Sequence, residues 1–444
     1  MQRTEFPAQA LPLDAPAATL AGMQHEWLRT EPDCVIYVPE DPNGRDGQNQ
    51  HLNVIATPGG ALLASWTTAS AEAEPDQRVV VSRSADGGRT WPAPLVIDGA
   101  GPHDPPGAGM ASWQFLIAGR DRIWCFYNKN IGIDDARAAD TGVLRCRWSD
   151  DDGVTWSRET ADLPIAPSAI SHPDPGVPPT WIVYQNPSMG HEGVPIAGFT
   201  SWASNAHDAG AGMLERLSEC CFLRFENILN ERDPRKLIVT TWPRSPHGIR
   251  VESPFRPGVS VCQEPTVQPL PDGRSICVMR TLTGRAWFAL SEDDARSWGE
   301  ARPLRYGPGG AEVLNPMAPC PLYRLKDGRY LLVFFNNEGS GHGGSGPTDA
   351  ANVRNPAWIT VGRFVPGEND CPLRFGPPKV FADTGWTPAP GTNRTQVATY
   401  CSLAETEGGR WLFYPDRKTY CLGKRLTDEW LAGCDPLEAG QDSP

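Results

Sequence analysis

The chain lacks long hydrophobic runs and any excess of basic residues. None of its 444 residues belongs to a stretch approaching the roughly 20 apolar residues of a membrane span. The first residues, MQRTEFPAQALPLDAP, place prolines and acidic side chains where a signal peptide needs an unbroken apolar core. Lys and Arg number 40 against 53 Asp and Glu, giving a net charge of −13 without a basic cluster for phosphates. We therefore expect a cytoplasmic protein that binds neither a membrane nor nucleic acid.

Paired cysteines and clustered histidines are also missing. The 12 cysteines form no CxxC pair, and several lie within apolar runs, such as Cys125 in IWCFY and Cys277 in SICVM. The eight histidines are dispersed without the spacing of zinc ligands. The sequence thus predicts no metal and no cofactor, and cysteines that act as small buried hydrophobes in a reducing compartment.

Short strands and turns dominate what is present. The 45 Gly and 45 Pro mark many turns, and 16 Trp exceed ordinary usage. One turn recurs as SADGGRTW from Ser84, SDDDGVTW from Ser149 and, more loosely, SEDDARSW from Ser291. In each copy the Ser and Asp cap a tight turn and the Trp anchors it in apolar surroundings. We name this eight-residue turn the clip.

The spacing of the clips predicts radial repeats. The second interval between clips is about twice the first, which indicates an intervening unit without a clip. Strand-like runs fill six units, so the predicted fold class is all-β, a six-bladed β-propeller spanning residues 31–444. An irregular N-terminal strap over residues 1–30 precedes it. The strand CVIYV, from Cys34, is expected to close the last blade.

Two segments depart from the strand pattern. TDEWLAG, from Thr427, is the one stretch that predicts a helix. The Gly-rich stretch 339–351, GSGHGGSGPTDAA, is either a flexible linker or a loop at the rim of a central pocket. The sequence leaves both interpretations of that stretch open.

The clips resemble the Asp-box, SxDxGxTW, of sialidase-like proteins. The first two copies match it, and the third departs with Ala295 in place of Gly and Ser297 in place of Thr. The box is a structural device found in several propeller families. It supports the propeller fold, and we interpret Asp86, Asp151 and Asp293 as turn caps rather than catalytic groups.

Two charged residues interrupt apolar strands, Glu264 in VCQEPTV and Arg280 in CVMRTL. A charge is costly to bury unless it is paired or solvated, so the two either line a central cavity or form a structural ion pair. The turn PDGR lies between them, which predicts adjacent strands of one hairpin whose side chains face one pocket together.

The order of the polar motifs resembles that of an exo-sialidase, in which a Glu and an arginine are followed by a second arginine and a late Tyr. Glu264, Arg280, Arg354 and Tyr400 fit this order, with Arg394 as a local competitor of Arg354. The resemblance implies that Tyr400 is the nucleophile, Glu264 its base and the two arginines the ligands of an acidic sugar. A phenol, with a pKa of about 10, needs such a base before it can attack.

The sequence departs from that family at its first arginine. Where sialidases have FRIP, this chain has His51 and Asn53 in QNQHLNV. One arm of the carboxylate clamp is missing, so a sugar without a carboxylate, or a uronate held by two arginines, becomes an alternative substrate. His51 is either a catalytic acid or base, since His titrates near neutrality, or a structural strand residue.

The general acid and the neutral sugar ligands complete the candidate site. In that family the acid is an Asp on the loop after the first motif, and SAEAEPDQ offers Glu72, Glu74 and Asp76, of which Asp76 fits the interval best. Amides in apolar settings either line the pocket or cap strand ends, and they are Gln114, Asn128, Gln185 and Asn186.

These observations predict a retaining glycoside hydrolase that releases a terminal sugar, acidic or neutral, from a carbohydrate substrate. Two alternatives remain open. One is a polysaccharide lyase in which His51 and Tyr400 act as base and acid on a uronate. The other is a non-catalytic carbohydrate-binding propeller. The sugar, its linkage and the oligomeric state are left open.

Overall fold

The computed structural model describes residues 25–99 and 109–436, which form six antiparallel β-sheets around one axis. Each sheet has four or five strands, and strands near the axis contact those of neighbouring sheets. The arrangement is a six-bladed β-propeller, so the predicted fold class is confirmed. Of the strap predicted over residues 1–30, residues 1–24 lie outside the described residues, and Glu26–Thr30 form a 3-10 helix.

The strands follow the predicted units along the chain. The first is β1 (Cys34–Tyr37). Blade 1 comprises β2 (Gln48–Ala56), β3 (Leu62–Ala69), β4 (Arg78–Ser84) and β5 (Leu95–Gly99). Blade 2 comprises β6 (Ala111–Ala118), β7 (Ile123–Lys129), β8 (Val143–Ser149) and β9 (Ala161–Leu163). Blade 3 comprises β10 (Thr180–Ile182), β11 (Ser188–Met189), β12 (Pro195–Trp202), β13 (Ser218–Phe225) and β14 (Val239–Trp242).

A separate hairpin leads into the second half of the ring. It consists of β15 (Glu252–Ser253) and β16 (Arg256–Ser260). Blade 4 comprises β17 (Cys262–Pro269), β18 (Ser275–Thr281), β19 (Ala286–Ser291) and β20 (Arg302–Pro303). Blade 5 comprises β21 (Leu322–Arg324), β22 (Tyr330–Phe334), β23 (Ala357–Phe364), β24 (Leu373–Phe375) and β25 (Lys379–Ala382). Blade 6 comprises β26 (Ser402–Thr406), β27 (Gly409–Asp416), β28 (Tyr420–Arg425) and β1.

The first strand completes the last blade. β1 pairs antiparallel with β28, with Cys34 opposite Gly423. The predicted pairing of CVIYV with the final blade is therefore confirmed. Because a late strand and an early strand share one sheet, blade 6 joins the two ends of the propeller and closes the ring.

The helices among the described residues are short. The helix Asp428–Ala432 confirms the prediction for TDEWLAG, and its N-cap Thr427 accepts a hydrogen bond from the Trp430 amide at 3.1 Å. The sequence does not predict the helices Asn205–Asp208 and Ala350–Val353, because four residues are too few to show a helical period. Further 3-10 helices are Pro234–Lys236 and Gly341–Gly343. None of the described helices has the length and apolarity to cross a membrane.

The hydrophobic core is divided among the interfaces between blades. Six clusters of buried residues each join two neighbouring blades. Trp66 and Phe413 belong to the cluster between blades 1 and 6, for example, and Phe126 and Phe225 to that between blades 2 and 3. All 12 cysteines are buried and free, as small buried hydrophobes are expected to be. Each blade covers its apolar faces only against its two neighbours.

The clips share one hydrogen-bond pattern. Asp86 accepts bonds from the Thr90 amide at 3.0 Å and the Thr90 hydroxyl at 2.6 Å, and the Ser84 hydroxyl donates to Asp86 at 2.7 Å. In the other two clips the aspartate accepts the same two bonds from the residue four positions later. These pairs are Asp151 with Thr155 and Asp293 with Ser297. The clip aspartates are turn caps, as predicted.

Each clip also attaches its blade to the preceding one through its Trp. Trp91 of blade 1 lies edge-on to Phe413 of blade 6, and Trp298 of blade 4 stacks on Phe222 of blade 3 with centroids 4.5 Å apart. Trp156 of blade 2 joins the cluster between blades 1 and 2. The repeated motif therefore stabilises both the turn and the contact between blades.

We expect the substitution Asp86→Ala to weaken the fold in a pH-dependent way. Burial alone would raise the pKa of the Asp86 carboxyl, but hydrogen bonds from Thr90 and Ser84 outweigh it and lower the pKa to about 2. The cap thus stabilises the fold above the ordinary Asp pKa of about 3.9 and loses this effect as the pH falls through the lowered pKa. The loss in unfolding free energy should be about 1 kcal/mol near neutral pH and shrink in acid, as measured by urea denaturation.

The control for this prediction is Glu407→Ala, which removes an exposed carboxylate from the β26–β27 turn. It should change the unfolding free energy by no more than about 0.5 kcal/mol. Equal losses in the two variants, or a loss in the Asp86 variant that does not depend on pH, would contradict the capping role.

Candidate active site

A cavity of about 530 Å³ lies where the six blades converge. Every blade contributes to its wall, with Glu72 from blade 1, Trp113 and Arg137 from blade 2, Trp202 from blade 3, Glu264 and Arg280 from blade 4, Arg354 from blade 5, and Tyr400 and Lys418 from blade 6. The Gly-rich stretch 339–351 lines the cavity through Thr348 and Ala350, which supports its interpretation as a rim loop.

A phenol, a carboxylate and a guanidinium form a chain in the cavity wall. The Tyr400 hydroxyl donates to Glu264 Oε1 at 3.0 Å, and Arg280 Nη1 lies 2.9 Å from Glu264 Oε2. Gln263, the residue before Glu264, pairs with Arg280 across β17 and β18, so the predicted hairpin placement of the two charges is confirmed. The Glu264 side chain is fully buried, and Arg280 is 3% exposed.

Burial and the neighbouring charges together set the pKa values of this chain of groups. Burial raises the pKa of Glu264, and the positive charges of Arg280 and Arg354 partly offset that rise. Burial also raises the pKa of Tyr400, and the negative charge of Glu264 raises it further. The phenol therefore stays protonated unless its proton passes to the carboxylate that it already contacts.

A repeated backbone distortion positions the residues nearest the axis. His51, Trp113 and Glu264 have left-handed φ values of 58°, 55° and 52°, and the strand register shifts at each of them. Such bulges re-aim a side chain, and non-glycine residues in this conformation cost about 1–3 kcal/mol each. Tyr400, with φ of 71°, lies two residues before β26 in blade 6.

At two of these bulges, a threonine of the preceding blade accepts a hydrogen bond from the backbone amide. The Glu264 amide donates to Thr200 Oγ1 at 2.7 Å, and the Trp113 amide donates to Thr67 Oγ1 at 3.2 Å. Since a bulge removes an amide from the regular ladder, each threonine hydroxyl supplies the missing acceptor. The preceding blade therefore stabilises the strained backbone conformation at the site.

Arg354 and Arg394 were the two candidates for the second arginine of the motif order, and Arg354 reaches the cavity. It donates to the Met317 carbonyl and, at 3.4 Å, to Gln396 Oε1, and its Nε has no partner among the described residues. Arg394 instead donates to the carbonyls of Pro42 at 2.7 Å and Gly47 at 3.0 Å. It fastens two loops and does not line the cavity.

The predicted general acid Asp76 does not reach the cavity, and Glu72 does. Asp76 accepts bonds from the amide and the hydroxyl of Ser70 at 3.2 Å and 3.1 Å, which makes it a turn cap. Glu74 is exposed and also absent from the cavity wall. Glu72 contacts Lys418 Nζ at 2.6 Å and Arg137 Nη1 at 3.4 Å. The charge of Lys418, aided by Arg137, lowers the pKa of Glu72.

His51 lies behind the cavity wall, so of the two interpretations left open the structure favours a structural strand residue over a catalytic acid or base. Its ring stacks on Trp113 with centroids 3.4 Å apart, meets Tyr400 edge-on at 4.9 Å, and bonds Thr67 through Nδ1 at 3.1 Å. Burial lowers the pKa of His51 well below its ordinary value, so the ring is neutral. It supports the two rings that face the cavity.

The amides also turn away from the cavity, so the structure does not support Gln114 and Asn128 as sugar ligands. Gln114 donates to the His51 carbonyl, and Asn128 donates to the carbonyls of Asp140 at 2.6 Å and Trp181 at 2.9 Å. Contacts of the same kind are made by Gln185 to the Cys401 carbonyl and by Asn186 to the Val54 carbonyl. Gln114 and Asn128 thus link neighbouring blades, whereas Gln185 and Asn186 link blade 3 to the more distant blades 6 and 1.

Sequence reasoning missed Trp113, Arg137, Trp202 and Lys418 in the cavity wall. Trp113 adjoins the predicted Gln114 and faces the cavity because the bulge reverses the alternation of the strand. Arg137 and Lys418 lie in polar turns that look like ordinary solvated loops. Among residues 25–99 and 109–436, no three His, Cys, Asp or Glu side chains are arranged to hold a metal ion.

Comparisons with known proteins agree with this architecture. A family model described as a BNR repeat-like domain matches residues 60–363. The Hadza microbial sialidase Hz136 aligns with a TM-score of 0.56 at 14% identity, over 86% of this chain and 66% of that protein. No curated protein sequence matches the chain.

Two intramolecular trans-sialidases are also similar in structure. That of Ruminococcus gnavus, in complex with oseltamivir carboxylate, has a TM-score of 0.56 at 15% identity, over 89% of this chain and 97% of its own. That of the leech, complexed with 2,7-anhydro-Neu5Ac, has a TM-score of 0.57 at 14% identity, over 90% and 70%. The chain belongs to the BNR repeat-like family and has the six-bladed propeller fold of the sialidases.

Proposed function

We propose that the protein is a retaining glycoside hydrolase that releases a terminal acidic sugar from an oligosaccharide or glycoconjugate. The observation that carries the proposal is the hydrogen bond of 3.0 Å from Tyr400 to the buried carboxylate of Glu264 in the cavity wall. A phenol bonded to a buried base is an activated nucleophile. The fold shared with sialidases supports the same reaction class.

In the first step Tyr400 Oη attacks the anomeric carbon as its proton passes to Glu264. The bond from that carbon to the leaving oxygen breaks, and Glu72 gives this oxygen a proton. In the second step a water molecule, deprotonated by Glu72, attacks the same carbon, and Tyr400 leaves and regains its proton from Glu264. Two displacements at one carbon retain the anomeric configuration.

The cavity suits a sugar whose anomeric carbon carries a carboxylate. A neutral phenol approaches such a centre without the repulsion that a carboxylate nucleophile would meet. Arg354 offers forked donors to the substrate carboxylate, and its Nε has no partner among the described residues. Trp113 and Trp202 add apolar faces on which a sugar ring can pack.

The lyase alternative loses its proposed base, because the His51 ring is stacked on Trp113 and does not line the cavity. A non-catalytic carbohydrate-binding propeller would keep the cavity but have no use for the bond between Tyr400 and Glu264. Turnover separates these alternatives, since a lyase creates the ultraviolet absorbance of an unsaturated uronate and a binding module releases nothing.

We expect Tyr400→Phe and Glu264→Gln each to lower kcat by roughly 10²–10⁴-fold on a panel of acidic 4-methylumbelliferyl glycosides. The double variant should be no slower than the slower single one, because a nucleophile and its base act as a unit. Proton NMR of the first product should show the retained anomer.

The matched control is Tyr420→Phe. Tyr420 is a buried tyrosine of the same blade, outside the cavity, and its hydroxyl has no hydrogen-bond partner among the described residues. The assignment of Tyr400 is supported if Tyr420→Phe keeps wild-type turnover and Tyr400→Phe does not. Wild-type turnover in Tyr400→Phe, or additive losses in the double variant, would eliminate the couple as the catalytic unit.

We also expect Arg280 to set the acidic limb of the pH–rate profile. Glu264 must be ionised to take the phenol proton, so activity falls as the pH drops through its pKa, which burial raises above the ordinary value. Arg280→Met removes a positive charge that lowers this pKa, so the limb should move to higher pH, whereas Arg280→Lys keeps it closer to the wild-type position. An unchanged limb in Arg280→Met, measured on folded protein, would argue against Glu264 as the base.

A further inference from the structure

A buried lysine of blade 6 is directed into the cavity. Lys418 lies in the turn between β27 and β28, with φ of 49°, and its side chain is 7% exposed. The amide of Asn49, in blade 1, donates to the Lys418 carbonyl at 2.7 Å and fixes the turn. The ammonium contacts Glu72 at 2.6 Å and lies 5.9 Å from the ring centre of Tyr400.

The titratable groups around Lys418 come from five blades. Arg137 and Arg354 repel the ammonium, whereas Glu72 attracts it. The titratable groups that face or electrostatically couple to it are Glu72, His51, Arg137, Glu264, Arg354 and Tyr400. Within this set only Glu72 makes a direct ion pair with Lys418, so the ammonium has one partner to exchange.

Two features indicate that the ion pair between Glu72 and Lys418 is not the arrangement in which the site acts on a substrate. A carboxylate held by two cations carries no proton for a leaving group, and the lowered pKa of Glu72 agrees with this. The cavity also lacks the arginine of the FRIP motif, because the residue in its place is His51, packed behind Trp113. Any further cation for a substrate carboxylate comes from another element, and both Arg137 and Lys418 line the cavity.

We propose that Lys418 is a specificity-determining residue whose ammonium leaves Glu72 for the anionic group of an acidic sugar when that sugar enters the cavity. This inference rests on the proposed function for its second half. Once Lys418 has moved, Glu72 keeps only the contact of 3.4 Å with Arg137 and takes up a proton from solvent, which reaches its side chain at 35% exposure. Exchange of one carboxylate for another suits a lysine, a compact charge on a flexible stem.

Binding tests the first half without turnover. The probes are sialic acid and its methyl ester, followed by the fluorescence of the tryptophans, two of which line the cavity. We expect Lys418→Met to weaken binding of the acid by about 10- to 100-fold, the usual range for a lost charged hydrogen bond, with little effect on the ester. Lys418→Arg should retain most of the preference for the acid.

The control is Lys424→Met, on the adjacent strand β28, whose ammonium bonds the Phe381 carbonyl at 3.1 Å outside the cavity. It should leave both probes unaffected. Equal weakening of the acid and the ester in a folded Lys418→Met variant, or an undiminished preference for the acid, overturns the proposal. So does a wild-type protein that does not prefer the acid.

Kinetics on 4-methylumbelliferyl sialoside test the second half. In Lys418→Met the limb of the kcat/KM profile that Glu72 governs in the free protein should move to higher pH, because the pKa of Glu72 rises. The pH profile of kcat should move little, because Lys418 has already left Glu72 in the complex. Movement of both profiles, or of neither, overturns the exchange. Failure of the proposed function shows separately, as absent turnover with the binding preference intact.

Discussion

A fully buried carboxylate lies near the centre of this propeller. Much of the site follows from the need to compensate its negative charge with hydrogen bonds and an ion pair. Glu264 is fully buried, and removing one partner of a buried charge commonly costs about 3–5 kcal/mol. Arg280 compensates it from the same hairpin, and Tyr400 compensates it from a blade more than a hundred residues later in the chain. The second contact exists only when the ring is closed. Closure depends in turn on β1 completing blade 6 and on the six clusters between blades.

The bulges explain how one fold presents different chemistry at equivalent places. Blades 1, 2 and 4 use the same left-handed residue near the axis, and it is a histidine, a tryptophan and a glutamate in turn. The backbone provides the direction, and the side chain provides the function. Thr67 and Thr200 of the preceding blades accept the amides that two bulges free, so the energetic cost of the site is shared with the scaffold. This arrangement separates the variable residues near the axis from the clips, which repeat nearly unchanged.

Under the exchange that we propose for Lys418, the cavity has a mobile cation in place of a fixed one. Arg280 is committed to Glu264, Arg354 retains an unpartnered nitrogen, and Lys418 is held by Glu72. In the mechanism that we propose, recognition of an acidic group and delivery of a proton are linked through a single carboxylate. Binding of an acidic substrate then completes the site, which is a different basis for specificity from a preformed three-arginine clamp.

The sequence by itself determined the features that arise between near neighbours in the chain. The clips, the strand units, the terminal helix and the hairpin that joins Glu264 to Arg280 all follow from local turn chemistry and strand alternation. The closing role of CVIYV followed from counting blades. Tertiary structure alone decided which side chains reach the cavity. A bulge shifts a strand by one residue and exchanges its faces, so Trp113 faces the cavity and Gln114, the amide that the sequence offered as a pocket candidate, does not. Glu72 rather than Asp76 faces inward because its partners, Arg137 and Lys418, come from blades 2 and 6, and contacts between such distant segments leave no local pattern to read.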